Sequence, residues 1–157
     1  CLVLSRQSCA QNNHQTSDTQ AIAQGAYMIH KASDAACMIV ATGSEVELAI
    51  KTATQLKHNN IAASVVSMPS MDRFFKQTQE AQNRLLPPHL PRVCIEAGHP
   101  MTWFGIARSN DLVIGIDTFG DSAPGKDVLN AHGFSDDKIN ARIQAWLAKH
   151  PSAIHPA

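Results

Sequence analysis

Cys37-Met38-Ile39-Val40-Ala41-Thr42-Gly43-Ser44-Glu45-Val46-Glu47-Leu48-Ala49-Ile50 is the stretch that decides the fold. Five apolar residues stand in a row at 37–41, without the alternation of a strand that shows one face to water. Such a run suits a strand buried on both faces, as in a parallel sheet covered by helices. Thr42-Gly43-Ser44 breaks it, and a helix is expected to follow. Ser44 and Glu47 have the S-x-x-E spacing of a capping box, in which the hydroxyl accepts from the Glu47 N–H and the carboxylate accepts from the Ser44 N–H. Val46, Ala49, Ile50, Ala53 and Leu56 recur at the three-four spacing of a buried helical face, and Asn59-Asn60 end it.

The same grammar extends outward. Short apolar runs at 2–5, 26–29, 62–68, 92–96 and 112–116 read as further strands. Residues 72–86 read as partly helical, closed by Pro87-Pro88, and 101–107 as a short helix bearing Trp103 and Phe104. Pro124 fits a helix start and Gly133 the following cap. The last helix opens at Ser135, with Asp136 and Asp137 in its positive first turn and Phe134 and Ile139 at staple positions. Ile139, Ile143, Trp146 and Leu147 form its apolar stripe, and Pro151 ends it. Strands alternating with helices predict an α/β fold, a three-layer α/β/α arrangement with a mostly parallel central sheet.

Composition narrows the function classes. The 157 residues carry 13 Lys plus Arg against 13 Asp plus Glu, so no basic surplus favours nucleic acid or an anionic membrane surface. No apolar run approaches the roughly 18–20 residues of a membrane span. Hydrophobic residues at 44% supply a core for one domain of ordinary size. Cys1, Cys9, Cys37 and Cys94 show no C-x-x-C, and two of them sit inside apolar runs. They read as free thiols in a reducing cytoplasm. The chain starts at Cys1 with a strand-like run at once, and so reads as a piece of something longer.

Candidate chemistry is sparse. Thr42-Gly43-Ser44-Glu45 lies where α/β proteins place ligands, between a strand end and a helix start. It lacks the glycines of G-x-G-x-x-G and of a P-loop, and Glu45 and Glu47 would repel a phosphate, so a plain cap is the better reading. The eight histidines show no zinc spacing, and no metal is assigned. There is no G-x-S-x-G elbow. Glu96-Ala97-Gly98-His99 and Asp117-Thr118-Phe119-Gly120-Asp121 are polar clusters after strands, read as turns in which Gly98 and Gly120 allow tight backbone paths. Arg6 projects from the end of the first run, and its guanidinium can hold a phosphate in a bidentate, charge-assisted manner.

Several segments, taken in order, resemble the C-terminal part of bacterial-type transketolases. Leu2-Val3-Leu4-Ser5-Arg6-Gln7 is similar to the family's ALVLSRQ, and Ala41-Thr42-Gly43-Ser44-Glu45-Val46-Glu47-Leu48-Ala49 to ATGSEVELA. Val65-Val66-Ser67-Met68-Pro69-Ser70-Met71-Asp72 is similar to VVSMPSxD, and Val93 to Gly98 to VxxEAG, with Trp103 after it. Thr118-Phe119-Gly120-Asp121-Ser122-Ala123-Pro124 is similar to TFGxSAP, with Gly133-Phe134 downstream. Ser8 to His14 departs from the family's NLAQ continuation, and His99 to Thr102 from the stretch after E-A-G.

The resemblance implies residues 1–20 as the end of the preceding pyrimidine-binding domain and a linker, 21–150 as the C-terminal domain, and 151–157 as a tail. It implies a parent enzyme that moves two-carbon ketol units between sugar phosphates, using thiamine diphosphate and a divalent metal, commonly Mg2+, as a cytoplasmic homodimer. Cofactor, metal and catalytic groups would belong to upstream domains. This domain would be structural, dimer-forming and inactive alone. Arg6 matches the family's arginine for the substrate phosphate and is the one site residue carried over. The rival reading is a free-standing α/β module that regulates by holding an anion or nucleotide at the Ser44 helix start.

Overall fold

The sheet is organised by its most apolar strand. In the computed structural model, which describes Cys9 and residues 19–150, β2 (Cys37–Ala41) is buried along its whole length. It pairs in parallel with β3 (Ala63–Ser67) on one side and with β4 (Arg92–Ile95) on the other. β5 (Leu112–Ile114) extends the parallel set beyond β4, and β1 (Tyr27–His30) closes the other edge antiparallel to β3. The order is β1-β3-β2-β4-β5, so the predicted mostly parallel sheet holds.

Both faces of β2 are covered, which is why its sequence does not alternate. Cys37, Ile39 and Ala41 face one core with Val65, Val93 and Ile95. That core is closed by α2 (Glu45–His58) and α6 (Asp136–Lys149), through Ala49, Ala53, Leu56, Ile139, Ile143 and Leu147. Met38 and Val40 face a second core with Val66, Cys94, Phe74, Leu86 and Trp103. The three layers follow from these two cores.

Helix ends differ in detail from the sequence reading. The capping box does not form: Ser44 already has helical dihedrals, φ −66° and ψ −26°, and makes no cap bond. From that conformation the hydroxyl turns to Glu45 Oε1 at 2.8 Å, while Glu47 pairs with Lys51 at 2.7 Å. Ser135 is extended at the start of α6, but its carbonyl, not its hydroxyl, meets the helix by accepting from Ile139 N at 3.0 Å. The stretch at 72–86 divides into α3 (Met71–Phe75) and α4 (Gln79–Leu85). Each has a true cap: Ser70 Oγ accepts from Arg73 N, and Thr78 Oγ1 from Ala81 N. The segment at 101–107 forms only a 3-10 turn, Pro100–Trp103, because Trp103 O accepts from both Ile106 N and Ala107 N and the chain turns away. α1 (Thr19–Ala23) precedes β1, and α5 (Gly125–Ala131) ends at Gly133, whose φ of 86° suits glycine.

A polar clamp holds the segment between α4 and β4. Arg92 donates to Ile106 O at 2.7 Å and to Leu86 O at 3.1 Å. Arg108 donates to Pro88 O and, at 2.7 Å, to Leu90 O. Asp111 ties the two arginines together: its carboxylate accepts from Arg92 N, Arg108 N and the Arg108 guanidinium, all at 2.8–2.9 Å. Burial pushes the Asp111 carboxyl up, but these donors outweigh it and hold it below its ordinary value. Asp111→Ala leaves the backbone amides of Arg92 and Arg108 and one edge of the Arg108 guanidinium without their acceptor, and is expected to cost about 2–3 kcal/mol in urea unfolding at pH 7. That contribution is present above the ordinary carboxylate pKa and fades as pH falls below it, so wild type and variant should converge in acid. A variant as stable as wild type at pH 7 would show that the clamp is not coupled to folding.

Candidate functional site

Strand order places one crevice where a ligand could bind. From β2 the chain crosses to β3 on one side, while β4 lies on the other, so the sheet reverses direction of growth between β2 and β4. In open α/β sheets that switch point, at the carboxyl ends of the strands, is the usual site. Here it is flanked by Thr42-Gly43-Ser44 after β2 and by Glu96-Ala97-Gly98 after β4. Gly43 turns the chain at φ 55°, which a side chain would strain.

Glu96 is set by the neighbouring strand: its N–H donates to Ile114 O at 3.1 Å, and Ile116 N donates to Gly98 O at 2.9 Å. The close backbone approach falls at Gly115, where a Cβ would lie 2.8 Å from Gly98 O. Gly120, which was expected to need such room, has open space around it. Glu96 Oε2 is buried with no hydrogen-bond partner. Across the crevice, Glu45 is only 7% exposed and is held by the Ser44 hydroxyl. Burial first, and the charge of Glu45 second, push the Glu96 carboxyl up from 4.5 to about 7. The sequence reading missed this pair, because Glu45 opens α2 while Glu96 follows β4, 51 positions further along the chain. The signal available was that each follows an all-apolar run, and such runs tend to be neighbours.

The crevice is therefore a poor phosphate site. Two glutamates occupy the first turn of α2, and its leading amides are taken by Thr42 O and Gly43 O. Nothing here supports the anion-holding module. Beside it lies a groove of about 330 Å³, where Glu45, Glu47 and Asp136 outnumber Lys51 and Lys126. Among the described residues no three His, Cys, Asp or Glu side chains gather as a metal site would require. Cys37 and Cys94 are buried thiols outside any disulfide, each pushed up to about 12, chiefly by burial, so neither is a ready nucleophile. The loop at 117–124 is exposed throughout, and His132 Nε2 lies 3.3 Å from Asp121 without hydrogen-bond alignment. Arg6, the one site residue carried over by resemblance, lies outside the described residues, as do Cys1, His14 and His155.

Comparison with known proteins decides the family. Residues 25–135 match the family model of the transketolase-like TK C-terminal domain. The chain belongs to the transketolase C-terminal domain family. It is 38% identical over 147 residues to the chromosomal transketolase of Cupriavidus necator, covering 94% of this chain and 22% of that protein. Against the transketolase of Bacillus subtilis the identity is 40% over 152 residues, with 94% and 23% covered. A transketolase variant from Pichia stipitis superposes with a TM-score of 0.79 at 26% identity, over 88% of this chain and 21% of that one. The Campylobacter jejuni transketolase gives 0.72 at 34%, over 79% and 19%. The chain thus spans less than a quarter of the length of these relatives.

The buried carboxyl makes stability depend on pH. Folding raises the affinity of Glu96 for its proton, so the stability it contributes is complete below about 4.5 and is lost as pH rises to about 7. Glu96→Gln should flatten that window and gain about 1–2 kcal/mol at pH 8, after allowance for the solvent that reaches a half-buried group. Chemical unfolding at a series of pH values reads it, and superimposable profiles would rule the buried proton out.

Proposed function

We propose that this chain is the C-terminal domain of a transketolase whose catalytic centre lies in other parts of the enzyme. One observation carries the reading: the match runs along 94% of this chain but only 22% of the Cupriavidus necator relative. The parent transfers two-carbon ketol units between sugar phosphates with thiamine diphosphate and Mg2+, works as a homodimer, and resides in the cytoplasm. The Pichia stipitis transketolase, 26% identical here, has been crystallised with sedoheptulose-7-phosphate, a ligand of this class.

The described residues do not fit the cofactor. A diphosphate at the start of α2 would meet Glu45 and Glu47, and no described cluster has three ligands for its metal. The domain's own part is to fold, cover and assemble. Residues 1–20 belong to the end of the preceding domain and its linker, and 151–157 form a tail. Arg6, in the first of these segments, holds the substrate phosphate by a charge-assisted contact. That group touches substrate while the remaining residues of this chain shape the assembly.

Two experiments test the reading. The purified 157-residue chain, supplied with thiamine diphosphate and Mg2+, is expected to show no ketol transfer, and turnover above background would refute it. Joined in register to the upstream portion of the Cupriavidus necator enzyme, in place of that enzyme's own C-terminal region, the chain is expected to support transfer. In that fusion Arg6→Ala should lower kcat/KM about 10- to 150-fold for phosphorylated sugars, the equivalent of about 1.5–3 kcal/mol, and leave unphosphorylated substrates nearly unaffected. Equal losses on both substrate types would reject the phosphate role.

A further inference from the structure

We propose that the cavity between the loop after β1 and the segment after α4 binds a free aromatic α-amino acid. The proposal rests on this chain's own residues and does not depend on its being part of a transketolase.

The cavity lies at the end of the sheet away from the switch-point crevice, beside Met38 and Ser64, which pair near the starts of β2 and β3. Its volume of about 650 Å³ falls within the roughly 300–1,000 Å³ of small-molecule sites. Met28, Met38, Pro87 and Leu90 give it an apolar lining. Thioether sulfurs are polarisable and make favourable contacts with aromatic rings.

Both walls are held. On one side the chain turns through Asp34, at a left-handed φ of 53°, and Ala32 N donates to Ser64 Oγ at 3.1 Å. On the other side Arg92 and Arg108 hold the carbonyl oxygens of Leu86, Pro88 and Leu90. The arginine clamp therefore fixes this wall as well, and a cavity with fixed walls loses less affinity to ordering when it binds.

The polar groups suit both ends of a zwitterion. Lys31, Arg84 and His89 line the cavity with donors, and Asp34 lines it with a carboxylate. Lys31 and Asp34 are exposed, and neither forms an ion pair among the described residues. Arg84 pairs with Glu80 at 2.8 Å, but the two side chains are 77% and 83% exposed, so the pair is weak and a ligand carboxylate can share the guanidinium. Ser64 is only 3% exposed. Among the described residues its hydroxyl only accepts, from Ala32 N, so its proton is left for a ligand oxygen. An aromatic α-amino acid brings a carboxylate for Lys31 and Arg84, an ammonium for Asp34 and a ring for the thioethers. A simple anion would be repelled by Asp34, and a simple cation by Lys31 and Arg84.

Titration of the isotopically labelled 157-residue chain with L-phenylalanine, read by amide chemical shifts and by calorimetry, tests the proposal. Saturable binding with a Kd below about 1 mM is expected, with shifts at 31–35, 64 and 87–90. N-acetyl-L-phenylalanine, phenethylamine and glycine lack the ammonium, the carboxylate and the ring in turn, and each should bind at least about tenfold less well. Asp34→Asn, in which Asn tolerates the same left-handed φ, should weaken L-phenylalanine about tenfold without weakening N-acetyl-L-phenylalanine. Lys31→Met with Arg84→Met should weaken L-phenylalanine by at least as much without weakening phenethylamine. These positions are exposed, so the variants are expected to keep the wild-type melting temperature. No saturation by about 10 mM, or shifts confined to other parts of the chain, would overturn the proposal. So would equal losses for L-phenylalanine and N-acetyl-L-phenylalanine in Asp34→Asn, since Asp34 would then not be reading the ammonium.

Discussion

Everything in this fold depends on covering β2 from both sides. Its five residues are wholly buried, and its two neighbours are both parallel to it. A parallel neighbour cannot be reached by a hairpin; the chain must cross over a face of the sheet. The crossovers supply α2 over Ile39 and α3 with the turn at 100–103 over Val40, and α6, which follows the last strand, completes the layer beside α2. Small residues complete the arrangement. Ala49 and Ala53 bring α2 close against the sheet, so a larger side chain at either would overpack a filled core.

This dependence explains which features were legible in the sequence. β2 is buried on both faces, and its run of consecutive apolar residues records that directly, while β3 and β4 show it through the shorter runs Val65-Val66 and Val93-Cys94-Ile95. α2 and α6 bury one stripe each, and three-four spacing records that too. What could not be read depends on contacts between distant segments or on a single dihedral. The clamp of Arg92, Arg108 and Asp111 closes only once β4 and β5 are paired. Ser44 and Glu47 satisfy the spacing of a capping box, yet a helical φ and ψ at Ser44 turn the hydroxyl away from the amide it was expected to meet. Spacing specifies who can meet; backbone conformation decides who does.

The switch-point crevice was legible in position but not in electrostatics. That β2 ends in Thr42-Gly43-Ser44 marks a site wherever a parallel strand gives way to a helix. That Glu96 faces Glu45 there follows only from the strand order, with β4 beside β2. Burial first, and the nearby charge of Glu45 second, make the Glu96 carboxyl hold its proton to higher pH. The same pairing that makes Glu96 sensitive to pH also empties the crevice of attraction for phosphate. The phosphate role proposed for this chain rests instead on the resemblance at Arg6.

Apolar surface left in water carries a related argument. A domain with cores on both faces of its sheet has already buried the side chains that folding requires. Phe75, Met101 and Phe104 are surplus to that need, and α3 gains nothing in the free chain by presenting a ring to solvent. Scattered exposed hydrophobics are ordinary, and of these three only Phe75 has its ring held against another segment, at Gly105. The constraint on β2 forces α3 onto its face, and α3 carries the stitch to residues 23–25. The stitch is in this sense a consequence of the sheet: once β2 is covered, the place at which residues 23–25 meet α3 is no longer free.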